Sequence, residues 1–216
     1  MRSQLTTLLV FAFIGAASAH EFHVATTGSD ANPGTKKAPF RTIQYAADLA
    51  QPGDIITVHE GVYRERVSPP RGGKSDHKRI VYRAAPGEQV AIKGSEVVTN
   101  WVKIQDDVWQ AVVPNSCFGS FNPYNDLIRG DWFEPMGRKQ HTGEVYLNDN
   151  PLIEATNLTE VLKPIKSQPL WYAKVDATNT TLWAQFKGVN PNEQLVEINV
   201  RQTVFIRKKS ASIISP

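Results

Sequence analysis

Apolar positions along this chain fall into two textures, and the change between them comes near residue 97. In the first, short β-branched runs stand between turn formers. They are the segment 22–27, Ile55-Ile56-Thr57-Val58, Ile80-Val81-Tyr82 and Val90-Ala91-Ile92. Runs of this length and composition predict strands. One segment has helical spacing instead. Ile43, Ala46, Ala47 and Ala50 share a face, Thr42 can cap the start, and Pro52-Gly53 ends the pattern. A short amphipathic helix at 42–51 must cover something. Ile55 and Ile80 stand 25 residues apart, the length of one coil of a right-handed parallel β-helix. Each coil buries its inner side chains by stacking on the next, so an end needs a cap, and the helix is placed to supply one.

The second texture is a series of short alternating strands rich in aromatics. They are Trp101–Ile104, Val108–Val113, Glu144–Leu147, Trp171–Val175 and Thr181–Phe186, with turn signals at Asn148-Asp149-Asn150 and Asn190-Pro191-Asn192. Many short strands without a helical pattern predict an antiparallel sandwich. Leu195–Val204 then reads as a strand of a resumed solenoid. The expected fold is all-β: the start of a right-handed parallel β-helix, an N-terminal capping helix and an inserted antiparallel β-sandwich. The expected boundaries are 20–96 for the cap and first coils, 97–194 for the sandwich and 195–216 for the return. Ser210–Pro216 carries no turn chemistry, cap or coil, so the chain reads as truncated.

The first residues set the compartment. Arg2, the apolar stretch Leu5–Ala16 and the small-residue pattern Ala17-Ser18-Ala19 form a signal peptide over 1–19, with cleavage after Ala19. The stretch is shorter than the roughly 18 apolar residues of a membrane span. A secreted or periplasmic location follows, with no membrane partner. The net charge of +3 comes from interspersed basic and acidic residues, which gives no footprint for nucleic acid. Cys117 is the single cysteine, so the core, not a disulfide, must hold the fold. His59 and His141 have no second ligand at metal-binding spacing, and no metal or cofactor is expected.

Longer motifs carry a family resemblance. His23–Asp30, Pro39–Ile43, Pro52-Gly53-Asp54 and Val58–Glu65 resemble the N-terminal cap of secreted right-handed β-helix proteins. Asn115-Ser116, Phe118-Gly119, Phe121–Tyr124, Gly130-Asp131-Trp132, Gly143–Asn148, Trp171-Tyr172-Ala173, Asn192-Glu193 and Val196–Arg201 resemble the β-xylosidases of glycoside hydrolase family 120. The resemblance runs to about Phe205. It implies a β-helix with a sandwich inserted near its start, a xylan-type oligosaccharide or polysaccharide substrate, and retaining hydrolysis by two carboxyl groups about 5 Å apart.

In that family the two carboxyl groups come from later coils, so no residue here is assigned a catalytic role. Asp131 and Glu134 are a tempting pair, but loop acids are usually solvated or cap turns. Trp132 and Asp131 are the substrate-binding candidates. The indole is expected at a loop tip, where its plane can pack on the C–H face of a sugar ring. Trp101, Trp109, Trp171 and Trp183 alternate within strands and are expected in the core. Two other readings stay open, a non-catalytic carbohydrate-binding or structural module and the start of a β-helical polysaccharide lyase. The oligomeric state is left open.

Overall fold

A computed structural model describes residues 19–165 and 167–206 of the chain. The signal-peptide reading, all but its last residue, and the tail from 207 lie outside the described residues. Among the described residues no helix is long and apolar enough to cross a membrane. The fold is mostly β with few helices.

The first part is built from parallel ladders. Strands β1 (Glu21–Val24), β2 (Ile55–Val58) and β4 (Val81–Ala84) form one sheet, and β3 (Gly61–Tyr63) pairs with β5 (Val90–Ile92) in another. Ile55 stands opposite Val81, one residue beyond Ile80. This register puts Ile56 beside Tyr82, and both belong to the apolar cluster with Val24 and Val58. A slip of one residue would turn that whole set outward.

Helix α1 (Ile43–Leu49) closes over this cluster through Ile43, Ala46 and Ala47. Its start is held three ways. Thr42 Oγ1 accepts the Tyr45 N–H at 3.2 Å. The Asp30 carboxylate takes the Arg41 and Thr42 N–H groups and the Thr42 hydroxyl, each at 2.9 Å. Glu65 takes the N–H groups of Ile43 and Gln44, also at 2.9 Å. A helix end left without such partners would lose about 1 kcal/mol per cap.

The second part has two facing sheets. One is four-stranded in the order β10 (Asn150–Pro151), β9 (Val145–Leu147), β14 (Val196–Asn199), β6 (Ser95–Val97). The other is five-stranded in the order β11 (Ile153–Glu154), β12 (Leu170–Val175), β13 (Asn179–Gln185), β8 (Val108–Pro114), β7 (Val102–Gln105). All pairings are antiparallel except β11 with β12. Trp101, Trp171, Leu182, Phe186, Val145, Val196 and Ile198 fill the space between them. Trp101 meets Phe186 edge-on at 4.9 Å, and Tyr124 meets Trp171 edge-on at 5.5 Å. Each large buried ring contributes about 2 kcal/mol by removal of apolar area from water. Trp109 and Trp183 are partly buried, packed on the central core and on a smaller cluster respectively.

Behind the five-stranded sheet, buried Gln185 ties down helix α2 (Leu158–Val161) and its exit. Its amide donates to the carbonyls of Val161 and Lys163 at 2.8 Å and accepts the Leu170 N–H at 2.9 Å.

The strand expected to resume the solenoid at 195–204 differs. Over Val196–Asn199 it lies between β9 and β6, antiparallel to both. Val196 and Ile198 point into the core between the sheets, and Glu197 and Asn199 alternate with them, so packing chooses this sheet. The chain returns to the parallel part only afterwards. Val67 donates to Val204 O at 2.8 Å and accepts from Ile206 N at 2.9 Å, and the Phe205 ring meets Tyr82 edge-on. Entry and exit share a neck, where Gly94 O accepts from both Val200 N at 2.9 Å and Arg201 N at 3.1 Å.

Candidate functional site: an aromatic hairpin and a polar cleft

Trp132 lies near the tip of a hairpin whose base is the antiparallel bridge between Leu127 and His141. Ile128 N donates to Gln140 O and Thr142 N to Asp126 O, both at 2.9 Å. The Phe133 N–H closes a turn on Gly130 O at 3.1 Å. Gly130 itself is not left-handed; Met136 and Gly137 are, at φ 53° and 75°. The Trp132 side chain is 91% exposed and Met136 80%. Asp131 and Glu134 beside them are exposed as well. An indole so placed has no packing role and a free face.

The base of the hairpin is clamped by Glu154 of β11. Its carboxylate accepts the His141 N–H at 2.9 Å and His141 Nδ1–H at 2.6 Å, and its carbonyl accepts from Arg138 Nη2 at 3.1 Å. His59 is likewise engaged. Its ring stacks on His23 and bonds to it at 3.0 Å, and its other nitrogen meets Glu88 at 3.1 Å. Burial holds His23 below the usual imidazole value. Among the described residues no group of three or more His, Cys, Asp or Glu side chains could hold a metal.

A polar strip continues from Glu154 across the outer face of the four-stranded sheet. Val145, Val196 and Ile198 fill the core, so Glu144, Tyr146, Glu197 and Asn199 lie on the opposite face. Glu144 is half-buried; burial first, then the charge of Glu154, holds its carboxyl above the ordinary value. Asn199 fixes the local backbone, accepting from Glu144 N at 2.6 Å and donating to Thr142 O at 2.7 Å. Gly143 is needed here for space, since a Cβ would stand 2.5 Å from the Tyr124 ring.

Glu197 is the deepest acid of the strip, with its side chain 3% exposed. Burial alone would raise its carboxyl. Hydrogen bonds from Lys93, Arg64 and Ser95 outweigh that and hold it below the usual range. Lys93 bridges Glu197 at 2.9 Å and Asp149 at 2.8 Å. Arg64 and Lys93 flank β3 and β5, so these pairs fasten the two parts of the molecule together.

The sequence reading singled out Trp132 and Asp131 but missed Glu144, Tyr146, Glu197, Lys93 and Arg64. One signal was available: polar residues at 144 and 146, and at 197 and 199, alternate with apolar neighbours. Chemically, the hairpin tip offers an exposed aromatic plane and the sheet face offers fixed carboxylates and amides, and each suits a polyhydroxylated ligand.

Residues 98–198 match the insertion domain of glycoside hydrolase 120, and residues 26–68 match a domain of unknown function, DUF1565. A solved structure of XylC in complex with xylose is 46% identical with a TM-score of 0.80, covering 86% of this chain and 32% of that one. The uncharacterized protein YwoF of Bacillus subtilis (strain 168) is 39% identical over 75 residues, 35% of this chain and 16% of that protein. The chain thus spans about a third of XylC and less of YwoF.

Proposed function

We propose, from the premise that residues 98–198 are a glycoside hydrolase 120 insertion domain, that this chain is the sugar-holding front of a secreted β-xylosidase-like protein. On this reading the parallel ladders begin a right-handed β-helix capped by α1, and the two facing sheets are a sandwich inserted into it. The export assignment rests on residues 1–19 alone. Trp132 stacks on a xylose unit of an oligosaccharide, with Asp131 accepting a sugar hydroxyl. The observation that carries the reading is the 91% exposure of Trp132 on a hairpin anchored at its base.

No carboxylate here is assigned to bond cleavage. Glu154 is committed to His141, Glu197 to Arg64 and Lys93, and Glu65 to α1. The reading expects binding without turnover from these residues alone, and measurable xyloside hydrolysis by the pure chain would overturn that part.

The binding test is a titration with xylo-oligosaccharides followed by tryptophan fluorescence. Saturable quenching is expected, with roughly tenfold weaker binding in Trp132→Ala, the size of a lost aromatic contact. Identical titrations for the two proteins would remove Trp132 from the site, and no response to millimolar sugar would remove the function.

A further inference from the structure

Between the neck and the β9–β10 turn lies a cleft of about 290 Å³, lined by residues of both parts of the molecule. Its floor is the buried Glu197 carboxylate, fixed in place by Arg64, Lys93 and Ser95. Tyr146 stands directly opposite Glu197 across the β9–β14 ladder, half-buried. Among the described residues no group hydrogen-bonds to its hydroxyl, which burial first, and then the charges of Glu144 and Glu197, hold above the ordinary value. Asp149 forms the rim. It and Asn148 both hold a left-handed backbone, at φ 63° and 50°, in a tight hairpin turn that favours glycine at the second position. That conformation brings the exposed Asp149 carboxylate to Lys93.

We propose that this cleft is a second carbohydrate site, taking an uncharged sugar unit of an oligosaccharide. The assignment rests on the oligosaccharide-binding reading. Two groups here can meet a sugar: Tyr146 brings an aromatic ring with a hydroxyl to give, and the exposed Asp149 carboxylate, which gives one oxygen to Lys93, can accept a sugar hydroxyl on the other. Charge selects a neutral sugar. The two cations, Arg64 and Lys93, are matched by Glu197 and Asp149, and Glu144 lies farther along the same face. No positive charge is left over for the carboxylate of a uronic acid.

The test compares Asp149→Gly, Tyr146→Phe and Trp132→Ala by calorimetric titration of the purified chain with xylotriose. Glycine suits the left-handed turn, so Asp149→Gly should keep its melting temperature while affinity falls roughly fivefold, as for loss of one charged hydrogen bond. Tyr146→Phe should weaken binding roughly threefold by the loss of a neutral one. If Trp132→Ala weakens binding and both cleft variants bind like the parent, the cleft is not a site, while the hairpin reading stands. If the cleft variants lose affinity and Trp132→Ala does not, the hairpin reading fails and the cleft remains. A parent chain that binds no sugar overturns both. Tighter binding of a glucuronate-bearing xylotriose than of the plain one overturns the assignment to an uncharged unit.

Discussion

Glu197 and Arg64, separated by 133 positions in the chain, form an ion pair that joins the last strand of the facing sheets to the parallel part. Lys93 adds a second cation to the same carboxylate. Burying one acid with two basic partners is tolerable only while all three are present.

Replacing Glu197 by Ala should therefore cost about 3 kcal/mol in urea unfolding at neutral pH, because Arg64 and Lys93 lose their counter-charge. The pH dependence has a defined sign. The folded carboxyl lies below the ordinary value of 4.5, so its contribution is present above that value and is lost as pH falls through the folded value. The stability gap between the parent and Glu197→Gln should narrow under acid; a gap that stays constant from pH 7 to pH 3 contradicts an ionised Glu197.

Glu144 behaves oppositely. Its folded carboxyl is raised by burial and by Glu154, so ionisation above the folded value works against the native state, and acid relieves it. Glu144→Gln should melt about 2 °C higher than the parent at pH 7. That advantage should vanish as pH approaches 4.5, the ordinary carboxyl value. Equal melting temperatures at pH 7 would show that the carboxyl is better solvated than its position indicates.

Gln185 satisfies three backbone groups. Gln185→Leu preserves bulk and removes those bonds, so a loss of about 3 kcal/mol is expected, with hydrogen exchange accelerating first at Leu170 and around α2. A loss below about 1 kcal/mol would mean that water takes over the abandoned groups.

Local chemistry was readable from the sequence. Thr42 caps α1 as its position suggests, β5 spans Val90–Ile92, and Trp101 and Trp171 are in the core. Asn148-Asp149 makes a turn as read, although its left-handed backbone was not foreseen. Partner choice over distance was not readable. Nothing near Val196 says that its strand will lie between β9 and β6, because an alternating run fits any half-buried sheet edge. Glu197 illustrates the same limit for the site. Its partners Arg64 and Lys93 lie far back in the chain, and each looks like an ordinary surface charge in isolation. The exposed position of Trp132 was visible because exposure at a turn is a local property.

The neck at Gly94 has a kinetic consequence. Because Val200 and Arg201 bond to the carbonyl at which the facing sheets begin, the excursion returns almost to its starting point. Once those sheets form, the flanking chain experiences the long excursion as a short link, and part of the entropy of bringing Val204 back to Val67 is already spent. Docking of 204–206 beside Val67 is then a local event, so the facing sheets should fold first and guide the remainder into register.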